Sequence, residues 1–117
     1  MKKFTNPLAL VQIGGHKFSL IESFSYEDVT VREGFETDLA SIPRILWTLL
    51  DSPIGRHAQA AVLHDFLYSA PLGYNYSRKE CDQIFLRAMK DSKVDFWRRW
   101  LIYFGVRLFG FFSFQKR

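Results

Sequence analysis

A chain of 117 residues that is 48% hydrophobic and 24% charged has enough apolar sequence for one core, which excludes a disordered segment and two ordinary domains. The formal charge of +4 falls in short clusters such as Lys2-Lys3 and Arg98-Arg99, so it reads as a solvated face and nucleic acid is not an expected partner. A single cysteine, Cys81, excludes an internal disulfide, and the N-terminus lacks the apolar run and cleavage site of a signal peptide, so a reducing cytoplasm is expected.

The first third favours strands. Leu8 to Ile13 and His16 to Leu20 are apolar runs separated by Gly14-Gly15, the pair that a tight hairpin with positive φ values requires. Phe24-Ser25-Tyr26 and Val29-Thr30-Val31 continue the alternation, and Glu33-Gly34 marks the next turn. A small antiparallel sheet is therefore expected over 1–36.

Beyond Phe35 the period changes to that of helices, which are expected over 37–117. Ser41 can cap a short helix with Pro43 in its first turn, running through Ile45 to Leu50. A second helix should run from about Arg56 to Tyr68, followed by a loop over 71–75. Ser77-Arg78-Lys79-Glu80 has the capping-box pattern, so a third helix should turn Cys81, Ile84, Phe85, Ala88 and Met89 inward. Ser92-Lys93-Val94-Asp95 repeats the signal before a fourth helix through Phe96 to Phe104. The fold class is α+β, a sheet with three to four helices packed on it in one domain.

Two polar interruptions stand out in this apolar sequence. Thr37-Asp38-Leu39-Ala40-Ser41 and Leu63-His64-Asp65-Phe66 each set charge among residues that should be core, where an unpartnered charge is costly. His57, His64 and Tyr68 share one helical face, and Arg78 lies one turn from Asp82.

Two readings fit these residues. In the first, Asp38, His64 and Asp82, with Asp65 as ligand or behind the ligands, bind a divalent metal such as Zn or Mn. The metal would activate water for hydrolysis, with Asp38, His64 and Asp65 as candidate catalytic groups. In the second they form a buried structural network in which Arg78 or Arg107 neutralises Asp82. His57 reads as a surface or supporting residue, Ser41 as a cap without a nucleophile elbow, and Cys81 as a core thiol.

The C-terminal quarter is unusually aromatic. Trp97, Leu101, Phe104 and Leu108 form one helical stripe, with Phe96, Trp100, Tyr103 and Arg107 beside it. The run from Trp100 to Phe114 is short for a membrane span and contains Arg107. Burial in the domain's own core should account for most of the stripe, and the excess points to a homo-oligomer, a protein partner or a membrane surface.

With those residues in view, the chain resembles a family of bacteriophage and prophage proteins that carries a domain of unknown function. The matching stretches are Gly34-Phe35-Glu36-Thr37-Asp38-Leu39-Ala40-Ser41-Ile42-Pro43-Arg44, then His64-Asp65-Phe66-Leu67-Tyr68, Ser77-Arg78-Lys79-Glu80-Cys81-Asp82-Gln83-Ile84-Phe85, and Tyr103 to Gly110. The resemblance implies a phage- or prophage-borne protein in the host cytoplasm or the virion, and carries no catalytic role with it. The order His57, His64-Asp65, Asp82 is also similar to that of metal-dependent HD phosphohydrolases, although here both imidazoles share one helix on a much smaller scaffold.

Overall fold

The computed structural model describes residues 4–15, 17–38, 45, 58–69, 71–110 and 114. Apart from Ile45, the helix expected over 41–50 lies outside the described residues, as do the Ser41 cap and His57.

The N-terminal third is β. Strands β1 (Leu10–Gly14) and β2 (Lys17–Leu20) form the expected hairpin, with a register irregularity between Gln12 and Gly14, and Gly15 sits at φ 51° where a side chain would be strained. β3 (Phe24–Tyr26) and β4 (Val29–Val31) form a second hairpin that alternates inward Phe24, Tyr26, Val29 and Val31 with outward Thr30.

The period-2 pattern continues past Phe35 for one short step. β5 (Glu36–Thr37) returns to pair with β2, so the described strands form two sheets, β1-β2-β5 and β3-β4, where one was expected. The return depends on Gly34, at φ 87°, whose N–H donates to the carbonyl of Leu20 at 2.7 Å. It also carries Thr37 inward and leaves Asp38 exposed.

Three helices follow. In α1 (Ala58–Tyr68) ten of eleven residues are buried, and Asp65 alone is partly exposed. Helix α1 therefore lies inside the molecule, packed against β5 on one side and α2 on another, and Ala58, Ala60 and Ala61 let those neighbours approach.

α2 (Arg78–Asp91) starts at the expected capping box: the Ser77 hydroxyl accepts from the Glu80 N–H, and the Ser77 N–H donates to the Glu80 carboxylate at 2.8 Å. Its inward stripe is Cys81, Ile84, Phe85, Ala88 and Met89, together with Asp82.

α3 (Phe96–Phe109) begins where expected but departs from expectation in its cap. Ser92 closes α2 rather than opening α3, and the N-cap of α3 is Asp95, whose side chain makes no capping bond. Helix α3 packs on α2 through Ile102 and Val106. Its stripe of Trp97, Leu101, Phe104 and Leu108 points the other way, into solvent.

Candidate functional site

The polar residues of the helices converge on one carboxylate. Asp82, on the inward face of α2, has no exposed surface. Its Oδ1 accepts from the His64 ring Nε2 at 2.7 Å and from the Tyr68 hydroxyl at 2.5 Å. Its Oδ2 accepts from Arg107 Nη1 at 2.7 Å, with Arg78 Nη1 at 3.7 Å. Helices α1, α2 and α3 thus each contribute a charge or hydrogen bond to one buried point.

The surroundings fix those donors. The His64 ring stacks on Phe85 at 4.5 Å and packs against Tyr68 at 4.1 Å. Arg78 also donates to the carbonyls of Val106 and Arg107 at 3.1 and 3.0 Å, placing a cation on the C-terminal turn of α3, where orphan carbonyls and the helix dipole favour it. Gly110 closes the site: a Cβ there would stand 2.8 Å from the Tyr68 hydroxyl. Phe114 packs edge-on against the Tyr68 ring at 5.2 Å.

Electrostatics match this geometry. Burial pushes the Asp82 carboxyl up, but hydrogen bonds from His64, Tyr68 and Arg107 outweigh it and hold the group below the ordinary carboxylate range. Burial first, and then the neighbouring carboxylate, push the Tyr68 phenol well above its ordinary range, so it stays a donor. Asp82 is an anion held by donors.

Of the expected metal ligands Asp38, His64 and Asp82, the structure brings His64 and Asp82 together and pairs them with each other. Asp82 takes up Nε2 of His64 together with the Tyr68 hydroxyl and Arg107, so the expected ligands are engaged with one another and with protein donors. Asp38 is exposed, and Asp65 is turned to β5, accepting from the Thr37 hydroxyl at 2.5 Å. Among the described residues no three His, Cys, Asp or Glu side chains gather where they could hold a metal.

A cleft of about 740 Å³ lies elsewhere, between the β4–β5 turn and the loop after α1, with Arg32, Phe35, Phe66 and Tyr74 among its walls. Asp38, His64, Asp65 and Asp82 do not line it. His64 and Asp82 have no exposed side-chain surface, so no substrate reaches them in this conformation. Arg78 and Arg107 both stand at Asp82, and Tyr68, whose place one turn from His64 was visible in the sequence, joins them.

The family model described as Protein of unknown function (DUF1353) matches residues 16–106, well over half of the chain. The chain belongs to this family. The DUF1353 match takes in β2 to β5, α1, α2 and most of α3, and so includes every side chain that meets at Asp82 except Arg107. The chain is also similar to Uncharacterized protein y4jT of Sinorhizobium fredii (strain NBRC 101917 / NGR234), at 26% identity over 99 residues. That alignment takes in 80% of this chain and 29% of the relative, so the chain spans less than a third of that protein's length. No solved structure matches it.

The second distinctive feature is the outer face of α3. Phe96, Trp97, Leu101, Phe104, Leu108 and Phe109 are each more than half exposed. Four of them, Trp97, Leu101, Phe104 and Leu108, fall within about 60° of arc at 100° per residue. No charged residue starts from that arc, and the Arg98 guanidinium lies over the Trp97 ring at its edge, 5.5 Å from the ring centre. Along the opposite side Ile102 and Val106 are fully buried, and Arg107 turns in to Asp82. No helix among the described residues is long and apolar enough to cross a membrane.

Proposed function

We propose that this DUF1353 chain is a non-enzymatic assembly component that docks through the outer face of α3, with the Asp82 network holding that helix rigidly in place. The observation that carries this reading is the uncharged stripe of Trp97, Leu101, Phe104 and Leu108, each more than half exposed on a folded helix. Exposed large apolar side chains scattered singly are ordinary; four in register on one narrow arc mark an interaction surface.

The buried network supports the same reading. Its hydrogen-bond donors come from α1 and α3 and meet an anion on α2 out of reach of solvent, which suits a clamp and not a reactive centre. The similarity of its motifs to bacteriophage proteins supports a setting in an infected or lysogenic bacterium or its virions.

Radical footprinting tests the docking face without assuming a partner. Trp97 and Phe104 should be oxidised readily in dilute purified protein and protected several-fold in the producing bacterium. Equally high reactivity in both settings would remove the docking role.

A further inference from the structure

We infer that the cleft between the β4–β5 turn and the loop after α1 is a binding site for a flat aromatic group that carries an acid, a carboxylate or a phosphate. The site is separate from the α3 face, and neither reading depends on the other.

The hydrogen-bonding groups left over in the cleft set the charge of its ligand. At about 740 Å³ it has the size of a small-molecule site. Most of its polar side chains are engaged with the protein. The Ser69 hydroxyl donates to the Phe66 carbonyl at 2.6 Å, and the Thr30 hydroxyl pairs with that of Ser25 at 2.7 Å. Glu36, the one carboxylate lining the cleft among the described residues, is paired with Lys17 on β2 at 3.6 Å. What remains is donors. The exposed Arg32 guanidinium has no hydrogen bond or ion pair among the described residues. The Tyr74 hydroxyl accepts from the Thr30 N–H at 2.9 Å, which leaves its own O–H to give. One cation and one hydroxyl proton suit an anion with acceptor oxygens, and the planar fork of Arg32 matches a carboxylate or a phosphate.

The walls set the shape. Phe66 meets Phe35 edge-on at 5.2 Å and Tyr74 edge-on at 5.9 Å, so the cleft is lined by rings already arranged edge to face, an arrangement that a further flat ring extends. The far wall is built before any ligand arrives. The Tyr74 N–H closes a turn on the Pro71 carbonyl at 3.3 Å, and the Tyr74 hydroxyl ties that turn to β4. The same tie excludes a peptide strand, because the Thr30 N–H that an added strand would use on β4 is taken. The ligand is therefore compact rather than extended.

An amide NMR titration of the purified full chain tests the site, with naphthoate, naphthyl phosphate and the neutral naphthamide as probes. The Gly34, Phe35 and Ser69 signals should move saturably with at least one of the two anions, at a dissociation constant of about 1 mM or tighter, and the tighter anion names the acid. Arg32→Gln, at an exposed position, should weaken that anion about 5- to 10-fold, and naphthamide should bind the wild type more weakly than the anion by a similar factor. The comparison of anion with amide needs no variant, so it decides the matter even if Arg32→Gln fails to fold. Equal binding of anion and amide overturns the site. So does an Arg32→Gln protein that binds the anion as the wild type does, and so do saturable shifts that are confined to α3 or absent altogether.

Discussion

Asp82 is an ionised group with no exposed surface, and its contribution to stability has a sign that can be read from its surroundings. The folded protein holds its pKa below the ordinary 3.8, because hydrogen bonds from His64, Tyr68 and Arg107 outweigh the opposing effect of burial. Between the folded and unfolded values the unfolded chain binds more protons, so this stability is complete above the unfolded value and drains away as pH falls through the folded one. Urea unfolding at a series of pH values should therefore show a loss of stability that starts below about pH 4. Asp82→Asn should lack the Asp82 part of that slope and cost about 3–5 kcal/mol at neutral pH, because Arg107 is left against an amide in a buried place. An Asp82→Asn protein with wild-type stability would mean that the network holds nothing together. Part of this was legible in the sequence: the one-turn spacing of Arg78 and Asp82, and the imidazole of His64 set in an apolar run. Asp38 was not readable in the same way, since its short polar context looks alike whether it points inward or, as here, out from the end of β5.

At the scale of the element, α2 and α3 show what periodicity can and cannot decide. Helix α2 alternates apolar and charged stripes, so its inward face followed directly from the letters, as did its capping box. Helix α3 is apolar on nearly every side, and either stripe could have been core. The choice is made by Arg107, which must reach Asp82, by Arg78, which grips the carbonyls of the last turn, and by the absence of a side chain at Gly110. None of these is a periodic signal, and for that reason the Trp97 to Leu108 stripe was expected inside and lies outside. Gly110 supplies the test. It has ordinary helical backbone angles, so Gly110→Ala is not strained by φ; its cost comes from a methyl placed 2.8 Å from the Tyr68 hydroxyl and 3.4 Å from Arg78 Nη1. The substitution should destabilise the protein by about 1–3 kcal/mol. In a Tyr68→Phe background, where the clashing oxygen is gone, the same substitution should cost clearly less, and a double-mutant cycle on urea midpoints reads the difference. Additive losses would place the strain somewhere other than Tyr68.

Across the whole molecule, the β part and the helices are tied by side chains from both. The Tyr26 hydroxyl on β3 donates to the Asp91 carboxylate at the end of α2, and Arg87 makes a two-pronged bond to Glu27 in the β3–β4 turn at 2.8 and 3.0 Å. Phe35 meets the Phe66 ring edge-on at 5.2 Å, and Thr37 reaches Asp65 on α1. These ties join segments up to 65 residues apart, so neither part completes its core alone. The consequence is cooperative unfolding, with strands and helices lost together. Tyr26 is the place to probe it, because the residue is fully buried in the β part while its hydroxyl bonds to the helices. Tyr26→Phe keeps the ring against Phe4 and removes only that bond, whose acceptor is charged but lies where water can replace it, so the loss should be about 1–2 kcal/mol. Helical circular dichroism and tryptophan emission, to which α3 contributes two of the three tryptophans, Trp97 and Trp100, should shift to lower urea by the same amount with unchanged slope, although the substitution lies in a strand. Two separated transitions in the variant would mean that the β part and the helices fold as independent units, and that the Tyr26 bond joins them only on their surfaces.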